Sequence, residues 1–334
     1  MKEPLIVCAG GLRSDYLITR EGEAHVGLPG GNALYAAAGA QLWANNVALW
    51  ARYGRNYAGS LLDTFSEIGL GTAGLIRLPD EQDHRTFYAY TPDGSRDDTQ
   101  PAAHFARIGQ PLPAELDDYI HSTPLQDDPH VYEPLALRPQ DWPDAYGAQT
   151  AVHLAPLPLA THLHAPARLR DAGVELISVD PGERYMIPER IPFIRQLLPQ
   201  VDVFLPSDQE VRSLFGGEVN LWQAAEQLIG WGAPLVVIKV GPDGVLLWDE
   251  TNGRRQQLPA YHKAGDPRIV DVTGAGDSFC GGFLAGLAQS GDALLAAQTG
   301  LISASMVIEG YGALYAFGLA QKTAQTRLSE ISSR

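Results

Sequence analysis

Residues 271–286 read DVTGAGDSFCGGFLAG. Three of the smallest residues, Gly274, Ala275 and Gly276, stand directly before a carboxylate, Asp277. The pattern Phe279, Phe283, Leu284 and Leu287 that follows has the spacing of a buried helix face. The stretch IVD before it reads as a strand ending at Asp271, so the small residues occupy a helix start. The first amides of a helix lack partners within it and the macrodipole is positive there, so side chains this small leave donors open to an anion. Asp277 would repel a bound phosphate, and its place makes sense if it acts on another group. A positioned carboxylate can take the proton from a hydroxyl as that oxygen attacks a phosphoryl group. The alternative is a helix-capping carboxylate, and on G-A-G-D alone the two readings stand level.

Outward from this stretch, strands and helices alternate. PLIVCAGG (4–11) is an apolar run ending in glycines, as expected of a buried first strand inside a sheet. DYLITREGEAHVGLPGG (15–31) reads as a hairpin and NALYAAAGAQLWA (32–44) as a helix, followed by strand 47–54, helix 57–69 and strand 72–78. RTFYAY (85–90) and the turn TPDGSR (91–96) form a second hairpin suited to pair with the first. From 97 to 150 the periodicity fades, which marks irregular or inserted structure. Alternation then resumes to PLVVIKVG (234–241), an antiparallel pair follows, and two long helices (about 275–289 and 292–309) precede a last one near 318–330. The pattern predicts a single α/β domain over 1–334. It is a doubly wound, mostly parallel sheet flanked by helices, with a small β-sheet lid from about 13–29 and 85–110 and an irregular segment at 111–150.

GLGTAG (69–74) matches the dinucleotide-binding spacing but sits after a helix and before a strand, the reverse of what that fingerprint needs, so it reads as a helix C-cap and turn. A net charge of −15 disfavours nucleic-acid and membrane-surface partners. No apolar run is long enough to span a bilayer. Two cysteines, Cys8 and Cys280, are too few for a disulfide framework, and the first residues lack the layout of a signal peptide, so the expected location is the cytoplasm. His153, His162 and His164 do not make a metal site, since His-x-His on a helix points two ways. The tryptophans at 43, 50, 222, 231 and 248 read as core.

The signature DVTGAGDSFCGGF resembles that of the ribokinase-like (PfkB) carbohydrate and nucleoside kinases, and further matches run in the same order along nearly the whole chain. Asp15 after the first strand, the pair Gly30–Gly31 with Asn32, the segment Pro206–Ser207–Asp208–Gln209–Glu210, and the turn Lys239–Val240–Gly241–Pro242–Asp243–Gly244 are similar to the family's motifs. The resemblance implies an ATP- and Mg²⁺-dependent kinase acting on a hydroxyl of a sugar or related polyol. Asp277 would be its general base and Gly274, Ala275 and Gly276 its anion hole. Asp15, Gly30, Gly31, Asn32 and Tyr35 would bind the acceptor; Ser207, Lys239, Gly241 and Gly244 would bind the nucleotide, with Asp180 another residue on the phosphate or metal side. Glu210 would act on Mg²⁺ through water, and a monovalent cation such as K⁺ beside Asp271, as in some relatives, is left open. The apolar lid face suits a homodimer. Tyr35 stands where the family usually has asparagine, Ser207 replaces another asparagine, Val272 a threonine, and Leu301 a frequent polar residue. These departures leave two rivals: a nucleoside kinase of the same fold, since Tyr35 can stack on a base, and a non-catalytic sugar- or nucleotide-sensing relative.

Overall fold

The computed structural model describes residues 3–91, 96–120 and 125–332. The tip of the second predicted hairpin, 92–95, lies outside the described residues. In chain order the elements begin β1 (Leu5–Ala9), β2 (Arg13–Ile18), β3 (Ala24–Gly30), α1 (Asn32–Gln41), β4 (Val47–Tyr53), α2 (Gly59–Glu67) and β5 (Gly71–Arg77). Next come β6 (Arg85–Tyr90), β7 (Arg96–Asp97), α3 (Pro101–Arg107), β8 (Thr150–Leu154), α4 (Leu159–Asp171), β9 (Leu176–Val179), α5 (Ile191–Leu197) and β10 (Val203–Phe204). The chain closes with α6 (Asp208–Leu214), α7 (Leu221–Gly230), β11 (Leu235–Lys239), β12 (Val245–Asp249), β13 (Arg254–Leu258), α8 (Ala275–Ser290), α9 (Ala293–Val307), α10 (Gly312–Phe317) and α11 (Gln321–Ser332).

Nine strands form one sheet in the order β13-β12-β11-β10-β9-β8-β1-β4-β5, parallel except where β12 pairs with β11 and β13. β1 is an interior strand because both its faces are apolar. Val7 and Ala9 enter the core shared with α4 and α7, while Ile6 and Cys8 enter the core shared with α1 and α8. The same alternation in β4 sends Trp50 to one side and Leu49 to the other. From β1 the chain builds outward through β4 to β5 and later returns to β8 on β1's other side. The order therefore reverses beside β1, and the crevice beyond the carboxyl ends of β1 and β8 is where such sheets bind ligands.

The second sheet, β3-β2-β6-β7, is the predicted lid; its two hairpins join through a parallel β2–β6 pair. It carries its own apolar cluster of Tyr16, Ile18, Phe87 and Phe105, the last supplied by α3. Between α3 and β8 the described residues hold only single turns of 3₁₀ helix, as the fading periodicity suggests. One local expectation fails: residues 269–271 are not a strand. The amides of Val270 and Asp271 bond instead to the carbonyl of Ile308 at the end of α9 (2.8 and 3.2 Å), so a loop, not a strand, feeds α8. The GLGTAG stretch begins, as read, with a helix end and turn, Gly69 being in the left-handed region after α2, but its last four residues already belong to β5. No helix among the described residues is long and apolar enough to cross a membrane.

Candidate active site

The first turn of α8 stands between two cavities. Gly274 and Asp277 line one of ≈ 310 Å³, the more polar of the two although apolar along one wall, and Ala275 and Gly276 line another of ≈ 520 Å³ with mostly apolar walls. Gly274 is the N-cap, with φ 74°, and the Tyr35 ring occupies the space a Cβ would fill there, so only glycine fits. The amide of Ala275 is taken by Val272 O (3.2 Å), but among the described residues those of Gly276 and Asp277 have no acceptor. Of the predicted anion-hole residues Ala275 is thus already bonded while Gly276 keeps an open donor, joined by Asp277 beside it, and the Lys239 ammonium lies 3.6 Å from where a Cβ on Gly276 would stand.

The Asp277 carboxylate makes no hydrogen bond to any described residue. Burial, then the charge of Asp180, pushes its carboxyl up to about 7, against the opposing pull of Lys239 and Arg96. Asp15, on β2, is 2% exposed, and neither carboxylate oxygen has a hydrogen-bond partner although the Tyr88 hydroxyl is adjacent. Burial lifts it too to about 7, Tyr88 and Arg13 pulling it down. Gly30 leaves room for this carboxylate, which fills the position of a Cβ there, and at Gly31 (φ 97°) a Cβ would strike the Gly11 carbonyl. Asn32 lines the polar cavity with its amide already engaged, accepting from Gly11 N and donating to Pro156 O (both 2.7 Å). It ties the end of β1 to the end of β8.

On the nucleotide side, Lys239 is ion-paired with Asp180 and 3.7 Å from Cys280 Sγ. Burial opposes its charge, but Asp180 more than offsets this and holds the ammonium well above its ordinary range. The other Asp180 oxygen is buried without a partner. Ser207 and Glu210 form a capping box at the start of α6: Glu210 N donates to Ser207 Oγ (3.2 Å) and Ser207 N to Glu210 Oε2 (2.7 Å). Burial and the nearby Asp180 push Glu210 upward. Gly241 and Gly244 line the apolar cavity with Val272, Phe279, Leu301 and Ile308.

Residues 156–317 match the pfkB family carbohydrate kinase pattern. A cytidine kinase from Thermococcus kodakarensis is 29% identical over 307 residues, covering 92% of this chain and 97% of its own. The fold matches that of Arabidopsis thaliana ribokinase, solved with ribose and ATP, with a TM-score of 0.69 at 17% identity over 98% of this chain and 99% of the other. It also matches a nucleoside kinase from Methanocaldococcus jannaschii, with a TM-score of 0.67 at 18% identity over 98% and 99%. The chain is similar to pfkB-family kinases in sequence and to ribokinase-family kinases in fold. The likeness centres on the half of the chain that carries α8 and the two cavities beside it.

Several residues of the candidate site left no signal in the sequence. Arg13 and Arg96 come from the lid, Tyr88 from its centre, and Gln126 and Glu133 from the segment before β8; all line the polar cavity. Arg96 lies over the Tyr88 ring at 4.5 Å. Tyr90 reaches Thr273 Oγ1 (3.3 Å), joining the lid to the loop that starts α8, where Thr273 N also donates to Asp271 (3.0 Å). Of the three histidines, His162 is buried and bonds Tyr185 and Ala155 O, His153 is buried and bonds Ser178, and His164 is exposed and bonds Tyr132. Among the described residues no three His, Cys, Asp or Glu side chains converge on a metal position.

Proposed function

We propose that the protein transfers the γ-phosphoryl group of ATP to a hydroxymethyl group of a sugar or nucleoside, with Asp277 as general base. The observation that carries this reading is the α8 first turn dividing two cavities, an unbonded carboxylate facing the polar one and an open amide facing the apolar one. The acceptor would lie in the polar cavity with its hydroxyls on Asp15, and the adenine in the apolar one over Gly241 and Gly244. As the acceptor oxygen forms its bond to the γ-phosphorus, Asp277 takes its proton, the bond to the β-phosphate breaks and ADP leaves. The amides of Gly276 and Asp277 and the ammonium of Lys239 stabilise the charge gathering on the transferred group.

Mg²⁺ suits the donors present, because Glu210 and the unpartnered Asp180 oxygen offer hard carboxylate oxygens for a hydrated ion. Glu210 would hold it through water, and it would neutralise phosphate charge. Asp271, 5% exposed, is the residue we assign to the neighbourhood of a K⁺-sized cation. The nucleoside reading draws support from the cytidine kinase likeness and from the Tyr35 and Tyr88 rings in the acceptor cavity. Asp277→Asn tests the whole reading. Acceptor-dependent ADP release should fall at least about 10³-fold with ATP affinity retained, and a variant keeping near-normal turnover refutes the base assignment.

A further inference from the structure

One wall of the acceptor cavity comes from the segment between α3 and β8, whose sequence carries no motif. Leu135 and Ala136 make it apolar, continuing into Pro156 and Leu157 beyond β8, and two polar groups interrupt it, Gln126 and Glu133. The Gln126 backbone is used, its carbonyl accepting from Leu159 N (2.8 Å), but among the described residues neither its side-chain amide nor the Glu133 carboxylate has a hydrogen-bond partner. Glu133 is half-buried and its nearest strong charge is Arg13. A carboxylate half shielded from water and without a protein donor gains when a ligand supplies one.

The charges around the cavity restrict what that ligand is. Arg52 is neutralised by both oxygens of Asp141 (2.6 and 2.8 Å). Arg13 and Arg96 have no ion-pair partner among the described residues, and they face Asp15, Asp277 and Glu133. A sugar phosphate or sugar acid would add a further negative charge to a site where carboxylates already outnumber free guanidiniums, so the acceptor is neutral. Its shape follows from the wall. A sugar offers only small C–H faces ringed by hydroxyls, whereas a heterocyclic base has broad flat apolar faces and keeps its polar atoms on its rim. An ionised carboxylate only accepts, so the rim it meets must carry N–H, and an amide beside it can both donate and accept. That is the combination that proteins use to recognise exocyclic amines of bases.

We propose that Glu133, seconded by Gln126, is the specificity-determining residue for the acceptor and selects a nucleoside whose base bears an exocyclic amino group. This rests on the kinase reading above only for the placing of the acceptor in this cavity. A carbonyl in place of that amine sets lone pair against lone pair at Glu133. Glu133→Gln keeps the size of the side chain and supplies a donor, so it removes the conflict.

The test compares two amino-to-oxo pairs, cytidine with uridine and adenosine with inosine, and free ribose as reference. It uses kcat/KM from ADP release and Kd by calorimetry with a non-hydrolysable ATP analogue present. The wild-type protein should prefer the amino member of at least one pair by about 10²-fold or more. Glu133→Gln should bring that ratio down at least about tenfold, partly by improving the oxo member, with ATP affinity unchanged; Gln126→Ala should weaken the amino member in the same direction. The proposal is overturned if ribose serves as well as any nucleoside, or if the amino-to-oxo ratio is the same in wild type and Glu133→Gln. Failure of the kinase reading looks different: no acceptor then elicits ADP, and the calorimetric ratios alone decide the base preference.

Discussion

The aromatic ring of Tyr35 packs against the Cα of Gly274, filling the space where any other residue would carry a Cβ. One residue belongs to α1 and the other caps α8, so this contact sets the height at which the α8 amides face the two cavities. Tyr35 is buried at 3% exposure, and burial followed by the surrounding carboxylates of Asp15, Asp271 and Asp277 pushes its hydroxyl well up. It therefore acts as a neutral wall.

Gly274→Ala should accordingly damage both stability and catalysis. The left-handed backbone at φ 74° costs a non-glycine residue about 1–2 kcal/mol, and the new methyl group must also displace the Tyr35 ring. The expected outcome is a lower Tm and a fall in kcat of about 10²-fold, since small shifts of preorganised donors are expensive in the transition state. Adding Tyr35→Ala should recover part of the Tm but little of the kcat. Melting curves and ADP release on the three proteins check this.

The pH dependence follows from Asp277. Its carboxyl must be ionised to accept a proton, and burial holds it up at about 7 in the free protein. The acceptor kcat/KM should therefore rise with unit slope and level off above about pH 7, not near pH 4. A flat profile from pH 5 to 9 removes Asp277 from the role of base.

The same shift has a consequence for stability, with the opposite sense. A carboxyl whose folded pKa stands above its ordinary 3.8 supports the fold fully below that value, and the contribution is lost as pH rises through about 7. Asp277→Asn relieves the buried charge, so it should melt higher than wild type at pH 8, with the difference largely gone at pH 4. Thermal melts at the two values check it. A variant that melts lower at pH 8 would mean that Asp277 is stabilised by a contact not evident in its surroundings.

How much of this was legible in the sequence depended on how local each signal was. β1 and β11 declared themselves because both faces are buried, leaving unbroken apolar runs. The IVD stretch imitates that pattern but is held by Ile308, and Val270 and Val272 stand exposed, so the apolar run came without a sheet to bury it. α3 and α10, of 7 and 6 residues, are too short to display a helical period. At the site, Gly274 to Asp277 form one continuous motif and could be read together. Arg13, Arg96, Gln126 and Glu133 meet only because the lid and the segment before β8 fold over the same crevice, and nothing in their own neighbourhoods announces this. Asn32 resembles a substrate residue in sequence, yet its amide is spent joining the ends of β1 and β8.

Ser207 illustrates a substitution that keeps its structural duty. Its hydroxyl and the Glu210 carboxylate satisfy each other's backbone amides, so Ser207→Ala should cost about 1 kcal/mol and loosen Glu210. The Mg²⁺ concentration giving half-maximal rate should then rise. Ser207→Asn, which keeps a side chain able to cap the helix, should leave Tm and Mg²⁺ requirement near wild type. If Ser207→Ala raises neither, Glu210 is positioned by something other than the box.

The buried pair Lys239–Asp180 separates structural from catalytic duties most sharply. With side-chain exposures of 14% and 3%, each charge survives in the interior because of the other. Lys239→Met leaves Asp180 with only the weak Cys280 thiol contact at 3.4 Å, and removing one partner of such a pair costs about 3–5 kcal/mol. Asp180→Asn combined with Lys239→Met removes both charges and should regain most of that loss, since a neutral pair of similar volume avoids the desolvation penalty. Turnover should not return with stability, because the ammonium near Gly276 is then absent from the transition state. If the double variant recovers kcat along with Tm, the lysine serves only to neutralise Asp180. If it recovers Tm alone, with ATP affinity little changed, Lys239 acts on the transferred phosphoryl group itself.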